Sequence, residues 1–178
     1  MKVLVIFAHP DLKSSRQNAA LIKAISSEES ITIQPIYDEY PDWQIDVAKE
    51  QQLVESHDRI VFQFPLYWYS TPPLLKKWQD DVLAYGWAYG EGGDALKGKE
   101  FIAAATIGGH PEVYRAGGRN HFTMSEILRP LQATANICEM HYLPAYITGG
   151  HLDDDGLEKA AKEYAAYITD SKPRGIAH

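Results

Sequence analysis

Residues 63–78 read QFPLYWYSTPPLLKKW, which is the end of a strand, an aromatic loop and the start of a helix in succession. An apolar strand at 59–64 leads into the loop, and three aromatics at 67–69 precede a proline pair. Open α/β sheets bind ligands in the crevice outside the carboxyl ends of their strands. We therefore predict a flat, aromatic ligand beside this loop. On this segment alone, core aromatics and an ordinary proline turn explain the pattern equally well.

The composition is that of an ordinary globular protein. The 178 residues include 45% hydrophobic and 23% charged side chains, and they carry a formal net charge of −7. This length is enough for one domain with a sizeable core. The negative balance argues against nonspecific binding to nucleic acid, because neutralising phosphates needs clustered Lys and Arg.

The single cysteine and the amino-terminal strand indicate the compartment. Cys138 cannot form an internal disulfide, and its apolar neighbours predict a buried structural thiol rather than a nucleophile. The apolar run at 3–8 is too short to span a bilayer, and no small-residue cleavage pattern follows it. We predict a cytoplasmic protein that does not span a membrane.

Strand and helix patterns alternate along the chain. Such alternation favours a parallel sheet with helices on both faces. The first and third strands are the most apolar, and Pro35 places the second strand near a sheet edge. We predict a three-layer, flavodoxin-like α/β fold with a five-stranded parallel sheet in the order 2-1-3-4-5, in which 1–170 form a single domain and 171–178 a frayed tail. The predicted strands cover 2–8, 31–37, 59–64, 100–106 and part of 137–147, where Pro144 breaks the last strand towards its end. The predicted helices cover 19–25, 47–56 with Ala48, Leu53 and Val54 facing inward, 74–85, 123–136 with an interruption at Pro130, and 157–168.

The loop after the first strand offers donors for a phosphate. His9, Ser15 and Asn18 precede a helix that Ser14 or Ser15 can cap. The free amides and the partial positive charge at a helix start favour an anion. The loop lacks the glycines of a Walker or dinucleotide motif, and on its own it is better explained as a capped helix beside a solvated loop.

A glycine pair follows the fourth strand. Gly108 and Gly109 let backbone amides approach a planar ligand, although paired glycines also fit a plain turn. In the predicted strand order, the loops at 9–18, 65–73 and 108–121 converge on one crevice. A phosphate site, an aromatic wall and a glycine-rich amide surface together predict a pocket for a flavin mononucleotide or dinucleotide.

Two further segments have predicted roles. The aromatics beside glycines at 86–93 suggest a covering lid or a subunit contact. The acidic run at 153–155 predicts the start of the last helix, because adjacent aspartates without further ligands are rarely a metal site.

The motifs of the three crevice loops resemble those of the flavodoxin-like NAD(P)H:quinone oxidoreductases. The likeness extends from residue 1 to about 147, and it is closer to the bacterial branch of general stress protein 14 and the quinone reductases associated with glutathione-regulated potassium efflux. It implies a homodimer with non-covalent FMN or FAD near the subunit interface, NAD(P)H as co-substrate, and quinones as acceptors, often with nitro or azo compounds as side substrates. The motifs are His9-Pro10 with Ser15 and Asn18, the segment 63–78, and Thr106-Ile107-Gly108-Gly109 with Tyr114.

The resemblance also implies the site residues. The family's catalytic tyrosine falls on Tyr114. The accompanying histidine of the animal enzymes falls on His121 if the loop has one extra residue, whereas Asn120 occupies the ungapped position. Ile107 stands where a second hydroxyl residue is common. The implied cofactor-binding residues are His9, Ser15, Arg16, Asn18, Pro65, Leu66, Tyr67, Trp68, Tyr69, Thr106, Ile107, Gly108, Gly109 and Tyr114, and no metal ligand is implied.

These expectations define one main function and two alternatives. The main prediction is an NAD(P)H dehydrogenase (quinone), with two-electron ping-pong hydride transfer from nicotinamide to flavin to quinone. One alternative is a regulatory flavoprotein subunit that associates peripherally with a potassium-efflux transporter. The other is a flavodoxin-like one-electron carrier, which a stable blue semiquinone on titration would support.

Overall fold

The computed structural model describes residues 1–171 and places its strands in one parallel sheet. The strands are β1 (Val3–Phe7), β2 (Ile31–Pro35), β3 (Arg59–Pro65), β4 (Glu100–Ile107), β5 (His141–Tyr142) and β6 (Tyr146–Gly149). Their order is β2-β1-β3-β4-β5, with β6 also paired to β4, which confirms the predicted order and the flavodoxin-like α/β fold. Pro35 lies on edge strand β2, as predicted. Residues 172–178, most of the predicted tail, lie outside the described residues.

The fifth position of the sheet is divided between two short strands. The prediction of five strands is corrected to six, because β5 and β6 pair separately with β4 on either side of Pro144. Proline has no backbone N–H, so it cannot continue a ladder. Leu143 still donates to Phe101 before the interruption.

The helices follow the predicted pattern with several shifted ends. They are α1 (Arg16–Ile25), α2 (Ile36–Glu39), α3 (Val47–Glu55), α4 (Pro73–Val82), α5 (Met124–Ile127), α6 (Arg129–Ile137) and α7 (Asp154–Thr169). The predicted second strand stops two residues early, because Ile36 already begins α2. The helix predicted at 123–136 is divided at Leu128, just before Pro130. Asp153 caps α7 by accepting from the amide of Gly156, which confirms the predicted helix start.

Both faces of the sheet are covered. On β1, the side chains of Leu4 and Ile6 pack with α3, α4 and α6, whereas Val3, Val5 and Phe7 pack with α1 and α7. All five side chains are buried, which explains why the sequence of this strand is apolar without alternation.

A buried carboxylate fixes α3 against the sheet. Glu50 is fully buried and accepts from Gln34 Nε2, Tyr40 Oη and Trp78 Nε1 at 2.6, 2.5 and 2.8 Å. The predicted inner face of α3 is apolar and does not include Glu50. The predicted inward residue Ala48 is exposed instead.

A buried arginine fixes the carboxyl end of α7 at the opposite end of β3 from the aromatic loop. Arg59 is 2% exposed. It donates to Glu100 at 2.7 Å and to the carbonyls of Ile168 and Asp170 at 2.5 and 2.8 Å. These bonds close the end of the helix, where carbonyls lack partners within the helix itself.

Two further sequence predictions concern membranes and thiol chemistry. Within residues 1–171, no helix is both long and apolar enough to cross a membrane. Cys138 is buried, and burial raises the pKa of its thiol, which fits the predicted structural role. The predicted cytoplasmic location stays a prediction.

Candidate functional site

The start of α1 has free backbone donors at the carboxyl edge of the sheet. Ser15 caps the helix, because its Oγ accepts from the amide of Asn18 at 3.3 Å. The amides of Arg16 and Gln17 lie in the first helical turn, where no preceding carbonyl of the helix can accept from them. This geometry, together with the dipole of a ten-residue helix, is one that could hold an anion.

A chain of buried side chains supports this helix start from below. Asn18 Nδ2 donates to Thr106 Oγ1 at 2.9 Å and to Ser15 Oγ at 3.2 Å, while Asn18 Oδ1 accepts from Gln63 Nε2 at 3.4 Å. Gln63 Oε1 accepts from the hydroxyl of Tyr164 at 2.8 Å. The chain links the loops after β1 and β4 through the centre of the sheet to α7.

His9 presents a neutral imidazole to the same edge. Its Nδ1 accepts from the amide of Asp11 at 3.1 Å, so the proton of the neutral ring lies on Nε2, which is left to donate. Burial lowers the pKa of His9 below its ordinary value of 6.5, against the opposing effect of Asp11. Neutral His9 is therefore a donor without charge.

The lowered pKa of His9 makes stability depend on pH. Below 6.5 the unfolded chain takes up this proton before the folded chain does, so the free energy of unfolding falls as the pH drops through that value. We expect His9→Gln to lose this contribution, because glutamine does not titrate. Urea unfolding at about pH 7.5 and about pH 5.5 measures it. The same pH dependence in both proteins would contradict the assignment.

The aromatic loop forms a tight turn with positive backbone angles. Tyr67 and Ser70 exchange two backbone hydrogen bonds of 3.0 Å, and the two residues between them, Trp68 and Tyr69, have φ values of 47° and 61°. Such conformations are costly for aromatic residues, on the order of 1–3 kcal/mol each. The turn leaves the Trp68 side chain 93% exposed beside the carboxyl edge of the sheet. The aromatics are therefore displayed at the edge rather than buried as core.

The glycine pair leaves open space where β4 ends. A Cβ built on Gly108 meets no atom within 4 Å, so the backbone at this position is approachable. An open cleft of about 480 Å³ lies between this loop and the start of α1. Its lining includes the predicted residues His9, Ser15, Arg16, Asn18, Pro65, Leu66, Tyr67, Thr106, Ile107 and Gly108, and also Ser14, Gln17, Gly150, His151, Leu152 and Leu157.

A second cleft of about 470 Å³ adjoins the first at Leu66. Tyr114 and Asn120 line it, together with Trp68 and Tyr69 from the aromatic turn. Tyr69 Oη donates to Asn120 Oδ1 at 3.4 Å, and Asn120 lies close enough to Tyr114 to lower the pKa of its hydroxyl. Burial, and to a lesser degree Tyr69, raise the pKa of the Tyr114 hydroxyl, so that it stays a proton donor.

The structure places most of the predicted residues in the lining of the two clefts, but His121 is exposed and Arg16 is paired with an acidic residue. Asn120 is the neighbour of Tyr114, whereas the side chain of His121 is exposed and has no hydrogen bond to Tyr114 within the described chain. Arg16 lines the first cleft at the start of α1, and its side chain pairs with Asp154 at 2.8 Å and with the carbonyl of Leu152 at 3.3 Å.

Gln17 is a site residue that sequence analysis misses. Its Nε2 donates to the carbonyl of Gly150 at 3.0 Å, and its buried Oε1 has no hydrogen-bond partner within residues 1–171. A buried acceptor beside an open cleft is available to a ligand donor. The residue type gives no signal in the sequence, because its partner lies 133 positions later.

The loop at 86–93 contacts α3. Ala88 is fully buried, and Trp87 Nε1 donates to Glu55 Oε1 at 2.7 Å. Tyr85, which the sequence pattern places on the inner face of α4, lies beyond the end of that helix and is 68% exposed. The linings of the two clefts contain no residue of this loop, which argues against a lid, and the predicted subunit contact stays a prediction.

Close approach of β6 to β4 requires glycine at position 149. A Cβ at Gly149 would lie 2.5 Å from the carbonyl oxygen of Ile107 and 2.9 Å from that of Gly109. We expect Gly149→Ala to lower the free energy of unfolding by about 2 kcal/mol, because backbone must move. Gly108→Ala is the matched control and should change it by less than about 0.5 kcal/mol. Urea unfolding measures both, and equal losses would contradict the steric argument.

Comparison with known proteins defines the family. A family model described as a flavodoxin-like fold matches residues 1–168. The chain belongs to the flavodoxin-like fold family. One family relative, general stress protein 14 of Bacillus subtilis (strain 168), is 53% identical over 94% of this chain and 97% of its own length. The uncharacterized NAD(P)H oxidoreductase YrkL of the same organism is 48% identical, covering 94% and 98% of the two chains.

Another family relative is named for a transport system. The glutathione-regulated potassium-efflux system ancillary protein KefG of Yersinia pestis (strain Pestoides F) is 41% identical over 98% of this chain and 97% of its own. These matches confirm the predicted resemblance to general stress protein 14, NAD(P)H oxidoreductases and efflux-associated proteins.

Solved structures in the family have the same architecture but different names. General stress protein 14 of Treponema denticola, in complex with FMN, has a TM-score of 0.92 and 39% identity, covering 94% of this chain and 98% of that one. An NADPH-quinone reductase of P.pentosaceus has a TM-score of 0.89 and 35% identity, covering 97% and 100%. A chain described as a thermophilic tryptophan halogenase from Streptomycin violaceusniger has a TM-score of 0.92 and 49% identity, covering 96% and 99%. Since one fold can carry several chemistries, the reaction has to be argued from the site.

Proposed function

We propose that the protein is an FMN-dependent NAD(P)H:quinone oxidoreductase. The observation that carries this proposal is the convergence of an anion site, an exposed aromatic turn and an open glycine backbone at the carboxyl edge of β1, β3 and β4. These are the three kinds of group that a phosphate, a flat ring and the polar edge of that ring require. The FMN complex of the Treponema denticola relative supports the same ligand.

The residues present fit a flavin mononucleotide. The Oε1 of Gln17, which has no partner within residues 1–171, offers an acceptor for a hydroxyl of the flavin side chain. The open space beside the backbone of Gly108 would admit the edge of the flavin ring. Arg16 lines the first cleft and pairs with Asp154, which does not line it. We propose FMN rather than FAD because the structure of the Treponema denticola relative is a complex with FMN.

Each group at the edge has a proposed task. The helix start at Ser15 and the Nε2 proton of His9 would hold the phosphate end, while residues 65–69 and 106–109 would hold the ring. When bound, the flavin would supply two-electron hydride chemistry between NAD(P)H and a quinone. The second cleft beside Tyr114 is open, and it would admit the nicotinamide and the acceptor in turn, as a ping-pong reaction requires.

Tyr114 is proposed as the catalytic residue. Its hydroxyl is protonated at neutral pH, since the ordinary tyrosine pKa of 10.0 is already well above that pH and burial raises the pKa of Tyr114 further, so it can donate to negative charge that develops beside it. Asn120 lies in contact with it, and we assign the supporting position to Asn120 rather than to the exposed His121.

The exposed aromatics suggest a homodimer. Trp68, which lines the second cleft, is 93% exposed. Phe122, which follows the loop that carries Tyr114 and Asn120, is 59% exposed. Exposed aromatics of this size around a cleft are typical of an interaction surface. Sedimentation of the purified protein tests the dimer, and a monomer at micromolar concentration would contradict it.

The experiment that tests the function starts with the colour of the purified protein. We expect a yellow protein that releases FMN on denaturation and that oxidises NADH or NADPH when a quinone is added. Lys162→Ala, a change at an exposed residue that lines neither cleft, is the matched control for handling. A colourless protein that takes up neither FMN nor FAD would overturn the proposal, and a stable blue semiquinone on titration would indicate the electron carrier instead.

A regulatory role is a second candidate because of the similarity to KefG, which is named as an ancillary protein of a potassium-efflux system. In this role the chain would associate with a transporter at the membrane surface. Co-purification with such a transporter, without oxidation of NAD(P)H, would favour this function over the enzymatic one. Rapid oxidation of NAD(P)H by the isolated protein would favour the enzyme.

A further inference from the structure

The buried polar chain that ends at Tyr164 has a defined direction. Tyr164 lies on α7, is fully buried, and its hydroxyl donates to Gln63 Oε1 at 2.8 Å. The hydroxyl has no other hydrogen-bond partner among residues 1–171. If it accepted from Gln63 instead, its own proton would be buried without an acceptor. Burial raises the pKa of this hydroxyl, so the proton stays in place.

The direction passes along the chain of amides. Because Gln63 uses its oxygen to accept from Tyr164, its Nε2 faces Asn18, and Asn18 must accept through Oδ1. The Nδ2 of Asn18 is then left to donate, and it does so to Thr106 Oγ1 and Ser15 Oγ. An amide has donors on one side and an acceptor on the other, so each orientation fixes the next.

The chain ends on two hydroxyls that line the first cleft. Ser15 Oγ accepts from both the amide and the side chain of Asn18, and Thr106 Oγ1 accepts from Asn18 as well. Neither proton is needed for these bonds, so both are free to be donated into the cleft. The two hydroxyls can therefore donate to a ligand that offers only acceptors at these points, such as a phosphate or a ring carbonyl.

We propose that Tyr164 is a positioning residue for the cofactor: from outside the cleft, it orients Gln63 and Asn18 so that Ser15 and Thr106 are hydrogen-bond donors to the flavin. This inference rests on the proposed FMN site and adds a residue that neither the loop motifs nor the cleft lining contains. Without the Tyr164 hydroxyl, the side-chain amide of Gln63, and then that of Asn18, can flip so that its nitrogen and oxygen exchange places. Ser15 and Thr106 would then donate back to Asn18 and present lone pairs to the ligand.

The test is the affinity of the apoprotein for FMN, measured by quenching of flavin fluorescence. We expect Tyr164→Phe to weaken FMN binding about tenfold. Tyr146→Phe is the matched control, because its hydroxyl donates to the carbonyl of Ala160 at 2.7 Å and its ring lies 5.2 Å from that of Tyr164. It removes a hydrogen bond from the same face without touching the polar chain, and its FMN affinity should equal that of the wild type.

A double-mutant cycle separates orientation from a general loss of structure. In the Thr106→Val background one of the two hydroxyls to be oriented is gone, so adding Tyr164→Phe should weaken binding by clearly less than it does in the wild type. Fully additive losses, or a Tyr164→Phe protein that binds FMN like the wild type, would overturn the inference. If Tyr164→Phe does not fold, Gln63→Met interrupts the same chain and carries the same expectation. A wild-type protein that binds no FMN would instead refute the proposed function.

Discussion

Tyr114→Phe should lower turnover with NAD(P)H and a quinone about 100-fold and should leave FMN affinity within about twofold of the wild type. The hydroxyl of Tyr114 lines the second cleft, and its pKa is raised by burial, so at neutral pH it is a neutral donor. A donor that serves only the charge developing during the reaction contributes to turnover and not to cofactor binding. Steady-state rates and flavin titration measure the two effects separately.

Three companion variants make this result specific. Tyr85→Phe is the control, since Tyr85 is exposed and lines neither cleft. Asn120→Ala should lower turnover because it removes the polar neighbour of the Tyr114 hydroxyl, whereas His121→Ala should have a smaller effect. Unchanged steady-state rates in Tyr114→Phe would remove Tyr114 from the mechanism, and a larger loss in His121→Ala than in Asn120→Ala would reverse the assignment of the supporting residue.

Arg59→Ala should lower the free energy of unfolding by about 3 kcal/mol. The buried guanidinium binds Glu100 and the carbonyls of Ile168 and Asp170, so its removal leaves a carboxylate and two helix-end carbonyls without their donor. The loss is at the lower end for a broken buried pair, because Glu100 is partly exposed and regains water. Urea unfolding measures the change.

The control for Arg59 is an exposed ion pair. Lys162 and Glu158 pair along the surface of α7, and Lys162→Ala should cost less than about 0.5 kcal/mol. Because Arg59 lies at the opposite end of β3 from the clefts, FMN affinity should be unchanged in both variants. A loss below about 1 kcal/mol in Arg59→Ala would show that the buried pair is not a main contributor to stability.

The fold was predictable where apolar residues form uninterrupted runs. The side chains of β1 are buried on both faces, and this pattern, together with the alternation of strands and helices, gives the sheet order. Buried polar residues were not predictable in the same way. Glu50 is inside because Gln34, Tyr40 and Trp78 supply donors from three other elements, and no local period in the sequence records that meeting.

The candidate site divides along the same line. Ser15 and Asn18 follow a strand and begin a helix, so their position at the edge could be predicted from local capping rules. The role of Gln17 and the direction of the Tyr164 chain depend on contacts that span more than 100 positions. Arg16 combines both influences, since its local position places it in the lining of the first cleft and the distant Asp154 pairs with its side chain.

The two edges of the sheet also limit the addition of strands from other copies of this chain. Edge strands with free backbone groups can add strands from other molecules, and short or proline-containing edges prevent this. Here β2 ends at Pro35, and the opposite edge is formed by β5 and β6, which have two and four residues on either side of Pro144. Continuous strand addition, the first step of sheet-mediated aggregation, is therefore disfavoured at both edges. The homodimer proposed above would therefore form through side chains and loops.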